Sequence, residues 1–145
     1  MPFAPMPGFP ARAVGVSDVL ASPKWPAEWP YSPRDFMRGD ESPDPYFYDQ
    51  PRFCFHVDDA AVAALTEFYG TALGEWEKPA ILDICASHVS HFPTDIADFA
   101  GNRVALGMNE EELRNNGQVD SYVVKDLNED PTLPFEDNSF DVVTN

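Results

Sequence analysis

Polar side chains stand at or near the ends of three short apolar runs in the second half of the chain. Asp83 lies near the end of the first run, Asn109 with Glu110 follows the second, and Asp126 follows the third. If these runs form neighbouring parallel strands, their carboxyl ends meet at one edge of the sheet, where ligands bind. A carboxylate there can accept from an ammonium group, a polar side chain can hold ribose hydroxyls, and a second acid can accept from an adenine amine. The pattern therefore indicates a site for a cationic nucleoside.

The elements that must position these residues alternate along the chain. Asp58 and Asp59 offer N-cap oxygens to a helix that should end at Gly74. The runs AILDIC, RVALGM, SYVVKDL and FDVVTN predict four strands, and SHFPTDIADFAGN and NEEELRNNGQ predict short helices between them, with the turn-rich DPTLPFEDNS before the last strand. This alternation favours an α/β fold with a parallel, doubly wound sheet and right-handed crossovers.

The first part of the chain has a different character, because prolines alternate with aromatic residues, as in PKWPAEWPYSPRDF. Proline blocks helix continuation and pushes its predecessor into extended geometry, so we expect an irregular arm with short turns. The many aromatic side chains predict that parts of this arm lie against the folded domain. A polyproline-type ligand for a partner domain is the alternative. The predicted organisation is an arm over residues 1–57 and a domain over residues 58–145.

Composition restricts the partners and the compartment. Twenty-five acidic against nine basic side chains give a formal charge of -16, which repels phosphate backbones, so nucleic acid is not an expected partner. Two cysteines are too few for a disulfide framework, and Cys85 lies in an apolar run where we expect a reduced, buried thiol. No stretch approaches the roughly 20 apolar residues of a membrane span, and the start lacks a secretory pattern. We expect a soluble intracellular protein, cytoplasmic by default, with plastid import as the alternative.

One stretch carries a family resemblance. LPFEDNSFDVV, which runs from Leu133 to Val143, resembles the connection into the fourth strand of class I S-adenosylmethionine-dependent methyltransferases, most closely the subgroup with ubiquinone and menaquinone biosynthetic enzymes. VVKDLNED places Asp126 where the family's adenine-contacting acid stands, and ALGMN places Asn109 at or next to its ribose-contacting acid. The resemblance implies the N-terminal half of a Rossmann-like methyltransferase fold, with S-adenosylmethionine as cofactor and a small-molecule methyl acceptor. The cofactor-binding residues that it implies are Asp83, Cys85, Ser87, Asn109, Glu110, Asp126 and Leu127.

Two features depart from the family's pattern. The family has alternating glycines after its first acid, whereas Cys85, Ser87 and Val89 stand at those positions here. Each replacement adds a β-carbon to the space through which the backbone approaches the ligand. Asn109 replaces an acid and can still hold hydroxyls, but it contributes no charge. These changes affect cofactor affinity more than they affect the fold.

Each candidate site residue also has a structural interpretation. Asp83 would be a strand-end residue that nearby backbone amides satisfy, and Asp126 a turn former that caps the chain before Asn128. The acids at positions 110–112 suit a helix N-terminus, so a solvated face explains most of them. We reserve a function there for Asn109 and for Glu110.

Cys85, His88 and His91 have a spacing that could suggest a metal site. Three ligands without a second cluster do not predict a bound metal, because a thiol and two loop histidines need none. Either histidine could instead act as a general base toward an acceptor.

Three functions stay open from the sequence. The first is a methyltransferase, or a fragment of one, in which an acceptor attacks the sulfonium methyl group in line. The second is a noncatalytic methyltransferase-like module that binds a partner through its aromatic arm and its open sheet. A nicotinamide-dependent enzyme ranks last, because the glycine fingerprint for a pyrophosphate is missing after ILD. A sheet that ends at its fourth strand would leave an uncovered edge, which predicts self-association.

Overall fold

The computed structural model describes residues 20–145, which divide into two units with the boundary between Glu41 and Ser42. The predictions that concern residues 1–19 lie outside the described part of the chain. Residues 42–57, which we predicted as part of the arm, group with the second unit. The physical reason is that this segment donates and accepts hydrogen bonds with residues near position 110, as described below.

The first unit contains one short 3-10 helix, Pro33–Phe36, among irregular turns. Ser32 precedes it and donates from both its main-chain nitrogen and its hydroxyl to Asp35, at 2.8 and 2.7 Å. The rings of Trp29, Tyr31 and Phe36 contact one another, with centroids 5.2 to 6.2 Å apart. All three side chains stay exposed. The predicted irregular geometry is confirmed for residues 20–41, where proline prevents longer helices.

The second unit alternates helices and strands. Its elements in chain order are α1 (Asp44–Tyr48), α2 (Asp59–Gly74), β1 (Ile81–Ile84), α3 (Ile96–Phe99), β2 (Arg103–Gly107), α4 (Glu110–Arg114), β3 (Ser121–Val124) and β4 (Val142–Thr144). Helix α2 has the predicted bounds, because Asp58 caps it by accepting from the Ala61 main-chain nitrogen at 2.9 Å. The four predicted strands are all present, each shorter than the apolar run that contains it.

The four strands form one all-parallel sheet in the order β3-β2-β1-β4. The chain builds outward from β1 through β2 to β3 and then crosses to the other side of β1 for β4. Strand order therefore reverses between β1 and β4. The predicted α/β class and parallel sheet are confirmed, and the arrangement is compatible with a Rossmann-like fold. Strand β4 lies at one edge of the described sheet with Val143 exposed, and self-association through this edge stays a prediction.

Apolar side chains pack on both faces of the sheet, because successive strand residues point to opposite sides. Ile81 packs on one face with Leu73, Phe92 and Ile96. On the other face Leu82, Val104 and Leu106 form a second cluster, which the partly buried Leu127, Phe135 and Phe140 cover. The connection before β4 thus covers this face of the sheet, whereas α2 and α3 cover the other face. No helix in residues 20–145 combines the length and the apolar character that a bilayer span requires.

Helices α3 and α4 are shorter than the stretches predicted for them. The segment after α4 leaves the helix because its side chains bond to the loop after β1. Asn116 donates to the Ser87 carbonyl at 3.1 Å and to the Ser90 hydroxyl at 2.9 Å. Gln118 donates to the Phe92 carbonyl at 2.6 Å, so that carbonyl is bonded to a distant segment before α3 begins. These bonds between distant segments replace the helical bonds that the local sequence favours.

Candidate functional site

The loop that follows β1 lines a cavity of about 270 Å³ at the carboxyl edge of the sheet. We call it the first cavity. Asp83 faces it from β1, His88 and His91 from the loop, and Tyr69 from α2, while Phe55 covers it from the segment before α2. Its walls are mainly apolar and aromatic, with a few polar groups, as is typical of small-molecule sites.

Asp83 is the buried acid of this cavity, with a side chain only 6% exposed. Its partner in the parallel register is Thr144 of β4, whose hydroxyl donates to Asp83 Oδ1 at 2.7 Å. Burial raises the pKa of Asp83, and hydrogen bonds from Ser90 and Thr144 and the charge of His91 offset part of that increase. The partners are thus side-chain hydroxyls rather than the backbone amides of the structural interpretation. Asp83 therefore lies where strand order reverses, and a nearby cation would stabilise its charged form.

Cys85 marks the point where the chain turns out of the sheet. Its φ is 55°, in the left-handed region that favours glycine and that costs other residues about 1–2 kcal/mol. The side chain is exposed, so the prediction of a buried thiol is wrong. The apolar run ends one residue earlier as a strand, and the Ala86 main-chain nitrogen, which donates to the Leu106 carbonyl at 2.9 Å, anchors the turn. The backbone geometry here is one that glycine would adopt more easily.

A second cavity of about 210 Å³ lies beyond the ends of β2 and β3. Cys85 and Ala86 line both cavities, so the two adjoin at this turn. Leu127 lies on the wall of the second cavity, together with Gly107, Met108, Lys125, Asn128 and, from α1, Asp44 and Tyr48. The two cavities form a groove along the carboxyl edge of the sheet, and together they fall in the range of about 300–1,000 Å³ typical of ligand sites.

Asn109 and Glu110 line neither of these two cavities. Asn109 caps α4 by accepting from the Glu112 main-chain nitrogen at 3.0 Å, and its amide nitrogen donates to the Tyr48 carbonyl at 2.8 Å. Glu110 forms an exposed ion pair with Arg114, one helical turn away, at 2.7 Å. Asn109 therefore attaches α1 to α4, while Glu110 stabilises the helix as the structural interpretation expects.

Asp126 and Leu127 follow β3 but have different surroundings. Asp126 Oδ1 accepts from the main-chain nitrogen of Asn128 at 2.8 Å and from its amide at 3.0 Å. This is the turn that the structural interpretation of Asp126 predicts. Asn128 also donates to Asp44 at 3.0 Å, which holds α1 over the second cavity. Among the seven predicted residues, Asp83, Cys85, Ser87 and Leu127 line the groove.

Glu112 is a buried acid beside the groove that the sequence reasoning missed. It is only 6% exposed, so its assignment to a solvated face is wrong. Oε1 accepts from the Arg52 main-chain nitrogen at 2.6 Å, and Oε2 accepts from the Ser87 hydroxyl at 2.7 Å. The Asn-x-x-Glu spacing from Asn109 is similar to a capping box, in which the acid accepts from the N-cap main-chain nitrogen, but the Glu112 oxygens accept from Arg52 and Ser87 instead. The local pattern thus predicts a capping role for Glu112 and gives no signal for its distant partners.

Aromatic rings hold the two loop histidines. His88 stacks on Phe55 with ring centroids 6.1 Å apart and planes 11° apart, and Phe53 meets it edge-on at 5.6 Å. The ring centroids of His91 and Phe55 are 5.5 Å apart. The main-chain carbonyl of His91 accepts from the Thr66 hydroxyl at 3.0 Å. Within residues 20–145, no three side chains of the histidine, cysteine or acidic types come together as metal ligands.

Comparisons of the chain with protein-family models, with curated proteins and with solved structures find no match. The function is therefore inferred from the groove itself. One part of the groove has a buried acid and two histidines, and the adjoining part has an apolar wall with a polar rim. This arrangement suits a ligand with a cationic end and a flat, partly apolar end.

Proposed function

We propose that the chain carries the cofactor-binding half of a class I S-adenosylmethionine-dependent methyltransferase domain with a Rossmann-like fold. The observation that carries the proposal is the position of Asp83. It is buried at the carboxyl end of β1, where strand order reverses, and it faces the first cavity. Open parallel sheets bind their ligands at this point.

Electrostatics favour a cationic ligand in the first cavity. Burial raises the pKa of Asp83, so its carboxylate gains stability when a positive group binds beside it. S-adenosylmethionine carries an ammonium and a sulfonium group, and the formal charge of -16 on the chain attracts cations from solution. We assign the amino-acid end of the cofactor to Asp83 and the loop after β1.

The nucleoside end is assigned to the second cavity. Leu127 offers an apolar surface for the base, and Asp126 uses Oδ1 for its turn, so its other oxygen is the one that we assign to an adenine amine. Asn109 would have to exchange its bond to the Tyr48 carbonyl in order to hold a ribose hydroxyl. Glu110 lies in the first turn of α4 and outside the cavity wall, so it would act on the cofactor from the start of that helix.

When bound, the cofactor supplies an electrophilic methyl group to a small-molecule acceptor. The residues of this chain would supply orientation, because Asp83 holds one end and the wall around Leu127 holds the other. Holding two reactants in line is a large source of rate acceleration in such displacements. The reaction needs no covalent enzyme intermediate.

Calorimetric titration with S-adenosylmethionine tests the proposal. The wild-type chain should bind, and Asp83→Asn should bind about 10–100-fold more weakly, since hydrogen bonds to charged groups contribute about 1.5–3 kcal/mol. Asp98→Asn is the matched control, because Asp98 is an exposed carboxylate on α3 and its replacement makes the same change of charge. Circular dichroism should show that all three proteins are folded. Equal affinities for wild type and Asp83→Asn would contradict the assignment.

A noncatalytic methyltransferase-like module is the second candidate. The engagement of Asn109 and Asp126 in bonds within the protein favours it, as does the β-carbon of Cys85 at a left-handed position. The same titration separates the two candidates, because a folded wild-type chain that does not bind the cofactor supports the noncatalytic module.

A further inference from the structure

A series of hydrogen bonds begins at the buried Glu112 and ends at His88 in the wall of the first cavity. Glu112 Oε2 accepts from Ser87 Oγ at 2.7 Å, and Ser87 Oγ lies 3.2 Å from His88 Nδ1. A serine hydroxyl has one hydrogen, and Ser87 Oγ donates it to Glu112 Oε2. That hydrogen therefore points to Glu112, and Ser87 Oγ accepts from His88. It follows that Nδ1 of His88 carries a proton and that Nε2 is the basic nitrogen of the neutral ring.

Further contacts restrict the movement of Glu112, Ser87 and His88. Glu112 is buried, and its second oxygen accepts from the Arg52 main-chain nitrogen at 2.6 Å. The Ser87 carbonyl accepts from Asn116 at 3.1 Å. His88 lies with its ring plane nearly parallel to that of Phe55. Because Arg52 and Phe55 hold Glu112 and His88 from the segment before α2, and Asn116 holds Ser87 from the segment after α4, the three residues are positioned before any ligand binds.

We propose that Glu112 and Ser87 are positioning residues that keep neutral His88 in the Nδ1–H tautomer, so that Nε2 accepts a proton from a ligand in the first cavity. The bond that the structure records for His91 uses its main-chain carbonyl, so the geometry selects His88 between the two histidines. The orientation of a base by a hydrogen bond to its other nitrogen is a general property of catalytic histidines.

The role of His88 in methyl transfer rests on the proposed function. The proton of the acceptor passes to Nε2, and the electron pair left on the acceptor attacks the methyl carbon. The electrons of the carbon–sulfur bond return to sulfur, which leaves as a neutral thioether. His88 then releases its proton to water, and the charges balance at each step. A positioned base of this kind contributes typically about 10²–10⁴-fold to a rate.

Nitrogen NMR of the imidazole rings tests the tautomer directly. Correlation spectra of the ¹⁵N-labelled chain, at a pH at which the ring is neutral, distinguish a protonated Nδ1 from a protonated Nε2. The His88 signals are assigned by their loss in His88→Gln. We expect the Nδ1–H pattern in the wild type, although free imidazole side chains in water favour the other tautomer. A wild-type His88 with a protonated Nε2 would overturn the proposal.

Variants of the two positioning residues complete the test. Ser87→Ala removes the acceptor for Nδ1–H, so His88 should shift to the Nε2–H tautomer, whereas Ser87→Thr keeps a hydroxyl and should retain the wild-type pattern. Glu112→Gln offers one acceptor oxygen to two donors, the Arg52 N–H and the Ser87 hydroxyl, so part of the population should shift. A role of Ser87 in structure alone would move backbone amide signals and leave the tautomer unchanged, which would refute the positioning role.

The outcome is separable from that of the cofactor titration. If Glu112→Gln does not fold, the pair Ser87→Ala and Ser87→Thr still decides the positioning role. A retained Nδ1–H tautomer in a chain that does not bind S-adenosylmethionine would refute the proposed function and leave the hydrogen-bonded series intact. Cofactor binding in a chain whose His88 has the Nε2–H tautomer would refute only the role of His88.

Discussion

Replacement of Gly107 by alanine should destabilise the domain, because this residue lies against the turn at which the two cavities adjoin. A β-carbon on Gly107 would collide with the Ala86 carbonyl oxygen and would lie 3.2 Å from Leu113 Cδ2. The Ala86 main chain cannot retreat freely, since its nitrogen donates to the Leu106 carbonyl at 2.9 Å. Overpacking typically costs about 1–3 kcal/mol, and a main-chain obstacle places this variant toward the upper part of that range.

Urea unfolding followed by circular dichroism measures this cost. Domains typically have a free energy of unfolding of about 5–15 kcal/mol, so a loss of about 2–3 kcal/mol is measurable and leaves most of the protein folded. Gly74→Ala is the matched control, because nothing lies within 4 Å of a β-carbon at the end of α2. It should gain about 0.4–1 kcal/mol by restricting the unfolded chain. A Gly107→Ala protein at least as stable as the wild type would refute the reasoning.

Two further predictions concern stability. Burial raises the pKa of Asp83 above its ordinary value of 3.8. The folded state therefore binds the proton of the Asp83 carboxyl group more tightly than the unfolded state does. As the pH rises above 3.8, this difference lowers the free energy of unfolding. Asp83→Asn should lack this loss, so its unfolding free energy relative to the wild type should rise as the pH rises above about 4; parallel pH profiles would argue against the buried charge. Asn109→Ala should lose about 1–3 kcal/mol, because it removes a helix cap and the bond to the Tyr48 carbonyl. Amide hydrogen exchange in α1 and α4 should be faster in Asn109→Ala than in the wild type. Asn115→Ala is the control, because it removes only a bond to the Glu111 carbonyl. Equal exchange rates in the two variants would count against the role of Asn109 in attaching α1 to α4.

Local sequence signals were sufficient for most elements of the second unit. Asp58 predicts the start of α2 because its side chain accepts a bond from a residue three positions later, which is a purely local interaction. The apolar runs predict the strands, since residues such as Ile81 and Leu82 must both be buried when both faces of a parallel sheet are covered. The alternation of elements then predicts a parallel sheet.

The same signals failed where a distant segment competes with the local preference. Asn116 and Gln118 leave the helical pattern because the loop after β1 offers them carbonyl and hydroxyl acceptors more than 20 positions away. Cys85 continues an apolar run but turns outward, where its thiol is exposed. No property of a single residue type predicts such an exchange of local bonds for distant ones.

The sequence by itself determined which chemical groups stand at the strand ends, because residue type and strand position are both local. Only the tertiary structure decided which of those groups face the groove. Asp83 does so because β4 pairs beside it, whereas Asn109 is occupied by the Tyr48 carbonyl, 61 positions away. Glu112 is turned inward for the same reason, since one of its oxygens accepts from Arg52, 60 positions away, and the other from Ser87. Hydrogen bonds over such separations depend on the path of the whole chain, which no short stretch of residues specifies.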